Sequence, residues 1–166
     1  MSATTVSPVR PLIVAALALA ALAALSPAHA VDMTPPAAPD AAAPADPLAS
    51  ARGLIGQQRW ADAIVELKRA NLTGNADWNN LMGYSHRKAK TPDLAAAERY
   101  YDAALRIDPR HRGALEDSGE LFLQKGEPAR AEARLATLTQ QCGQCDEQKK
   151  LARAIETHRR GGSTTY

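Results

Sequence analysis

From residue 48 onward the chain is a succession of amphipathic stretches separated by turn clusters. Apolar residues recur three and four positions apart rather than in alternation, which is the helical period. The pattern predicts helices over 48–57, 60–70, 76–89, 94–106, 112–125 and 128–139, taken in three pairs, and a single final helix over about 146–158. Turn chemistry supports the breaks. Asn71 to Asn75 is a polar turn cluster, Asp108-Pro109 disfavours helix ahead of the proline, and Gly126-Glu127-Pro128 starts a helix with proline in its first turn. The stretches also repeat. Ala63, Ala97 and Ala131 are 34 residues apart. Leu67, Tyr101 and Leu135 follow at the same spacing, as do Ala70, Ala104 and Leu138. A period of this size marks a solenoid of stacked helix pairs, and such a solenoid is a binding scaffold.

The last stretch places Leu151, Ala154 and Ile155 on one face and has no partner helix after it. A solenoid's terminal hairpin leaves an apolar face open, and a helix with a polar back covers it, so a capping role is expected.

Composition narrows the class. Ala and Leu are abundant, aromatics are only 4%, and no β-branched run follows the N-terminal region, so an all-α domain is expected. Residues 1–30 read as a cleavable signal peptide. Arg10 is its only charge, and Leu12 to Leu25 is an apolar run of 14 residues, where a membrane-spanning helix needs about 20. Ala28-His29-Ala30 has the small-x-small form of a cleavage site. A periplasmic protein starting at Val31 is expected. Residues 31–47 hold five prolines among many alanines and read as a disordered or extended linker. The folded domain is expected over 48–158 and a flexible tail over 159–166. A formal net charge of +2 gives no electrostatic case for nucleic acid or for a membrane surface after cleavage.

The chain resembles the tetratricopeptide repeat family. In the second repeat the residues that carry the resemblance are Trp78, Met82-Gly83, Ala97, Tyr101, Ala104 and Asp108-Pro109. In the third they are Gly119, Phe122, Gly126, Ala131 and Leu135; in the first they are Trp60, Ala63, Ile64, Leu67 and Ala70, with no Leu-Gly pair. The turn within the second repeat is about two residues longer than the family's usual one. Asn80 to Lys88, Ile107 to Leu115 and Gly119 to Gln124 are further similar to small exported proteobacterial members, which often carry two cysteines before a last helix. The resemblance implies a right-handed helical solenoid of about three repeats plus a C-terminal capping helix. It also implies a protein or peptide partner bound in the concave groove lined by the inner helices, with no chemistry. Helix phase then assigns Asn80, Tyr84, Arg87 and Lys88 to that groove from the second repeat, and Glu116, Glu120 and Leu123 from the third. Tyr84 and Arg87 are not expected to be core, and Arg130 on an outer helix is expected to be a solvated charge.

Cys142 and Cys145 are the only cysteines. In an oxidising compartment a structural disulfide is expected. A redox-active pair on a helical scaffold is the alternative from another class, and metal binding is a further one. The mature histidines, His86, His111 and His158, stand at no metal-ligand spacing and read as surface residues. No cofactor, metal or catalytic residue is assigned. Self-association through an exposed solenoid end is a third reading of the function.

Overall fold

The computed structural model describes residues 45–162, and all of the regular structure among them is helical. The helices are α1 (Ala49–Gly56), α2 (Trp60–Ala70), α3 (Ala76–Lys88), α4 (Leu94–Ile107), α5 (Arg112–Gln124), α6 (Pro128–Cys142) and α7 (Asp146–Arg159). The expected signal peptide, residues 31–44 of the linker and residues 163–166 of the tail lie outside the described residues.

Three of the helices, α3, α4 and α5, start on a side-chain cap. The Asn75 side chain accepts from the Trp78 amide at 2.9 Å, and the Asp93 carboxylate from the Ala96 amide at 2.8 Å. His111 Nδ1 accepts from the Ala114 amide at 3.0 Å, which leaves Nε2 to face Asp77 Oδ1 at 2.8 Å. His111 is therefore not the solvated surface residue expected; it caps α5 and touches the preceding repeat. Gly126 takes φ 72° and lets the chain turn straight into Pro128.

Two ends differ from expectation. Asp46, read as linker, belongs to the fold: its carboxylate accepts from the Leu48 amide at 2.9 Å and pairs with Arg52. Residues 159–162, read as tail, finish α7 instead, with the Gly162 amide donating to the Thr157 carbonyl at 3.0 Å. α6 also runs three residues past Thr139, up to the first cysteine.

The helices pack as successive hairpins, α1 on α2, α3 on α4 and α5 on α6. α3 also meets α1 and α5, and α5 meets α7, so α1, α3, α5 and α7 form one inner row with α2, α4 and α6 behind it. Ala63, Ala97 and Ala131 are fully buried, as their shared 34-residue phase requires. Large apolar groups fill between them: Leu67 and Met82 at the first junction, Tyr101 and Leu121 at the second, Leu138 and Leu151 at the third. α7 buries Leu151, Ala154 and Ile155 in the cluster formed by α5 and α6. It stands where the inner helix of a fourth repeat would stand, and so covers the last hairpin.

Candidate functional site

The inner row opens into a groove of about 480 Å³ to which all four of its helices contribute. α1 supplies Ile55; α3 supplies Asn80, Leu81, Tyr84 and Lys88; α5 supplies Glu116, Asp117 and Glu120; α7 supplies Lys150. The structure thus places five of the seven groove residues assigned from helix phase around one depression: Asn80, Tyr84, Lys88, Glu116 and Glu120.

Arg87 and Leu123 are elsewhere. The Arg87 side chain is 0% exposed. Its Nη2 donates to Asp117 Oδ1 at 3.1 Å and meets Glu120 Oε2 at 3.0 Å, while Nε donates to the Tyr101 hydroxyl at 3.3 Å. Burial opposes its charge, but the Tyr101 hydroxyl, Asp117 and Glu120 outweigh that cost, and its pKa lies above the ordinary arginine value. Phase along α3 put Arg87 beside Tyr84 correctly, with the guanidinium 5.4 Å from the Tyr84 ring centroid. Phase does not give depth, and here α5 crosses over the arginine and brings its counter-ions. Leu123 is 2% exposed and packs with Leu138, Leu151 and Ile155, because the face that opens at Glu116 and Glu120 closes under α7.

Arg130 is not free either. Its guanidinium lies 3.7 Å over the Phe122 ring and pairs with Glu98 at 2.8 Å and with Glu127 at 2.6 Å.

The groove floor is electrostatically tight. Asn80 Nδ2 donates to Asp117 Oδ2 at 3.2 Å, while Asn80 Oδ1 is buried and accepts no hydrogen bond within the described residues. Burial, with Asp117 beside it, pushes the Glu116 carboxyl up to about 7, although Lys150 stands 3.7 Å away. Burial also lowers Lys88, and neighbouring Arg87 adds to the effect. Tyr84 is pinned edge-on by Trp60 at 5.6 Å, so its ring has a set orientation at the groove wall.

Sequence reasoning missed Asp117 and Lys150. Lys150 was detectable, since it stands 34 residues after Glu116 and only the reading of α7 as a simple lid hid the correspondence. Asp117 lies next to Glu116 along α5, and its inward direction follows only from how α5 crosses α3.

Cys142 ends α6 and Cys145 precedes α7, and the two are bonded to each other with Cα atoms 5.6 Å apart. The bridge ties the last outer helix to the capping helix. Among the described residues no group of three His, Cys, Asp or Glu side chains is arranged to hold a metal ion.

These features define a class, an all-α repeat scaffold whose inner row carries a continuous polar groove. Residues 92–155 match the family model described as tetratricopeptide repeat, so that stretch is of tetratricopeptide type. The matched stretch runs from just before α4 into α7. Neither a curated protein nor a solved structure matches the chain. Stacked repeats of this kind serve as protein-interaction scaffolds, and that is this chain's coarse function.

Proposed function

We propose that the protein is an exported, non-catalytic scaffold that holds a polypeptide segment in its inner groove. The observation that carries the reading is the groove itself, about 480 Å³ built by side chains from four successive inner helices. Its chemistry suits a peptide backbone. Asn80 Oδ1 offers an acceptor that no described residue uses, Tyr84 offers rigid aromatic area, and Lys88, Lys150, Glu116 and Glu120 offer both signs of charge. Export rests on the apolar run and cleavage site within residues 1–30.

Photo-crosslinking tests the groove. A photoreactive residue at position 84 should trap a polypeptide, and the same residue at exposed Gln140 on outer helix α6 should not. Adducts of equal yield from both positions would remove the groove from the argument and favour the solenoid ends. Intact mass of the exported protein should correspond to a start at Val31; a full-length, membrane-pelleting product would overturn export.

A further inference from the structure

A second cleft, of about 440 Å³, shares no residue with the inner groove. It lies between the end of α2, another face of α3 and the first turns of α4. Its wall is aromatic. Trp78 meets Tyr100 edge-on with centroids 5.9 Å apart, and the His86 ring stacks on Tyr100 at 5.5 Å. Trp78 is fixed in place by donating Nε1–H to the Leu67 carbonyl at 2.7 Å. The long turn of the second repeat makes one rim: it folds back so that the Asp93 amide donates to the His86 carbonyl at 3.1 Å.

The charges around this wall are unbalanced. Lys68 and Arg99 both border the cleft, and neither has an ion-pair partner among the described residues. The one acid present, Asp93, already spends a carboxylate oxygen on capping the Ala96 amide at 2.8 Å. His86 lines the same cleft and is lowered from its ordinary pKa by burial first, with Asp93 opposing and Lys68 and Arg99 adding to the effect. An aromatic wall of ligand-sized volume, flanked by two unpaired cations, is complementary to a flat molecule with one negative end.

We propose that this cleft binds a small organic carboxylate with a flat apolar body, its ring against Tyr100 and Trp78 and its carboxylate between Lys68 and Arg99. The site lies outside the groove, so a ligand here and a polypeptide there bind without competing for side chains.

The test uses 2-naphthoate and its neutral analogue 2-naphthalenemethanol, titrated into the isotope-labelled protein and followed by NMR. Saturable shifts centred on His86 and Trp78 are expected, with the alcohol binding at least about tenfold more weakly than the acid. The His86 pKa should rise on saturation, because a carboxylate beside the ring favours its charged form. Lys68→Gln combined with Arg99→Gln should weaken naphthoate about tenfold or more at an unchanged melting temperature. Absence of saturation, equal affinity for acid and alcohol, shifts centred on Tyr84, or unweakened binding by a folded double variant would each overturn the proposal. The acid-to-alcohol ratio is measured on the unaltered protein and stands whether or not the double variant folds.

Discussion

Gly83 and Gly119 hold the same place in successive repeats, and each opens a notch in an inner helix, but the two notches are filled differently. A Cβ on Gly83 would stand 2.7 Å from the Tyr101 ring, which comes from the same repeat. A Cβ on Gly119 would stand 2.6 Å from a Leu151 methyl, which comes from the capping helix. Tyr101 brings a hydroxyl into the core, the hydroxyl accepts from Arg87, and Arg87 in turn is paired by Asp117 and Glu120 of the next repeat. Leu151 brings only methyl groups and packs in an apolar cluster with Leu115, Phe122, Leu138 and Ile155, while the ion pairs of its junction, such as Glu116–Lys150, are only partly buried. One family position therefore builds a polar joint between the second and third repeats and an apolar joint between the third repeat and the cap. The polar joint underlies the groove, since Asp117 and Glu120 face both Arg87 and the groove. The apolar joint closes the solenoid.

The largest expected break comes at the polar joint. Arg87→Ala takes the cation from Asp117 and the donor from the Tyr101 hydroxyl, leaving Asp117 only Asn80, and should cost about 3–5 kcal/mol in urea unfolding. Tyr84→Ala, whose side chain lines the groove, should cost much less, so it is the cleaner probe of binding. A small loss in Arg87→Ala would mean that the arginine is not the structural keystone of the joint.

The glycines sharpen the comparison next. Gly83→Ala should destabilise by about 1–3 kcal/mol, because it meets a rigid ring and the Ala97 carbonyl at 3.1 Å. Gly119→Ala should cost less, because Leu151 has methyl ends that can turn aside. Thermal unfolding of the pair ranks them, and a reversed order would show that the apolar joint is the stiffer one.

The Cys142–Cys145 bridge acts on the apolar side alone. It closes a very short loop, so Cys142→Ser with Cys145→Ser should cost no more than about 2 kcal/mol. The effect should be local, read as faster amide exchange at Leu151 to Ile155 with little change at Ala97 to Tyr101.

Glu116 gives the smallest and most conditional effect. Its carboxyl sits near 7 in the folded protein against an ordinary 4.5, so the folded state holds the proton more tightly than the unfolded chain. Its contribution is fully favourable below about 4.5 and declines as pH rises through 7. Glu116→Gln should therefore be more stable than the parent at pH 8, by on the order of 1 kcal/mol, with the difference gone by pH 4. A constant difference across that range would mean that Glu116 titrates normally.

Much of this architecture was legible in the sequence. Every helix was placed within a few residues, because amphipathic period, proline placement and turn residues are local properties. The buried alanines were legible from the repeat, because a close helix crossing recurs wherever the repeat does. The groove was legible only as a direction. Asn80, Tyr84 and Lys88 lie where phase puts them, whereas Arg87 and Leu123 share that phase and are buried by helices that cross them. The second cleft was not legible at all, since Lys68, His86 and Arg99 come from three helices and meet only when the hairpins stack.

By itself, then, the sequence determined the all-α class, the 34-residue period, the pairing of helices and the capping role of α7, because each depends on spacing along one chain. Only the tertiary structure decided which charges are spent inside the protein and which remain for a ligand. Arg87 and Arg130 read alike as charges on helix faces; one is neutralised in the core and the other lies across Phe122. That difference arises from the crossing helices, since the cost of burying a charge is set by the counter-ions a neighbouring helix brings to it.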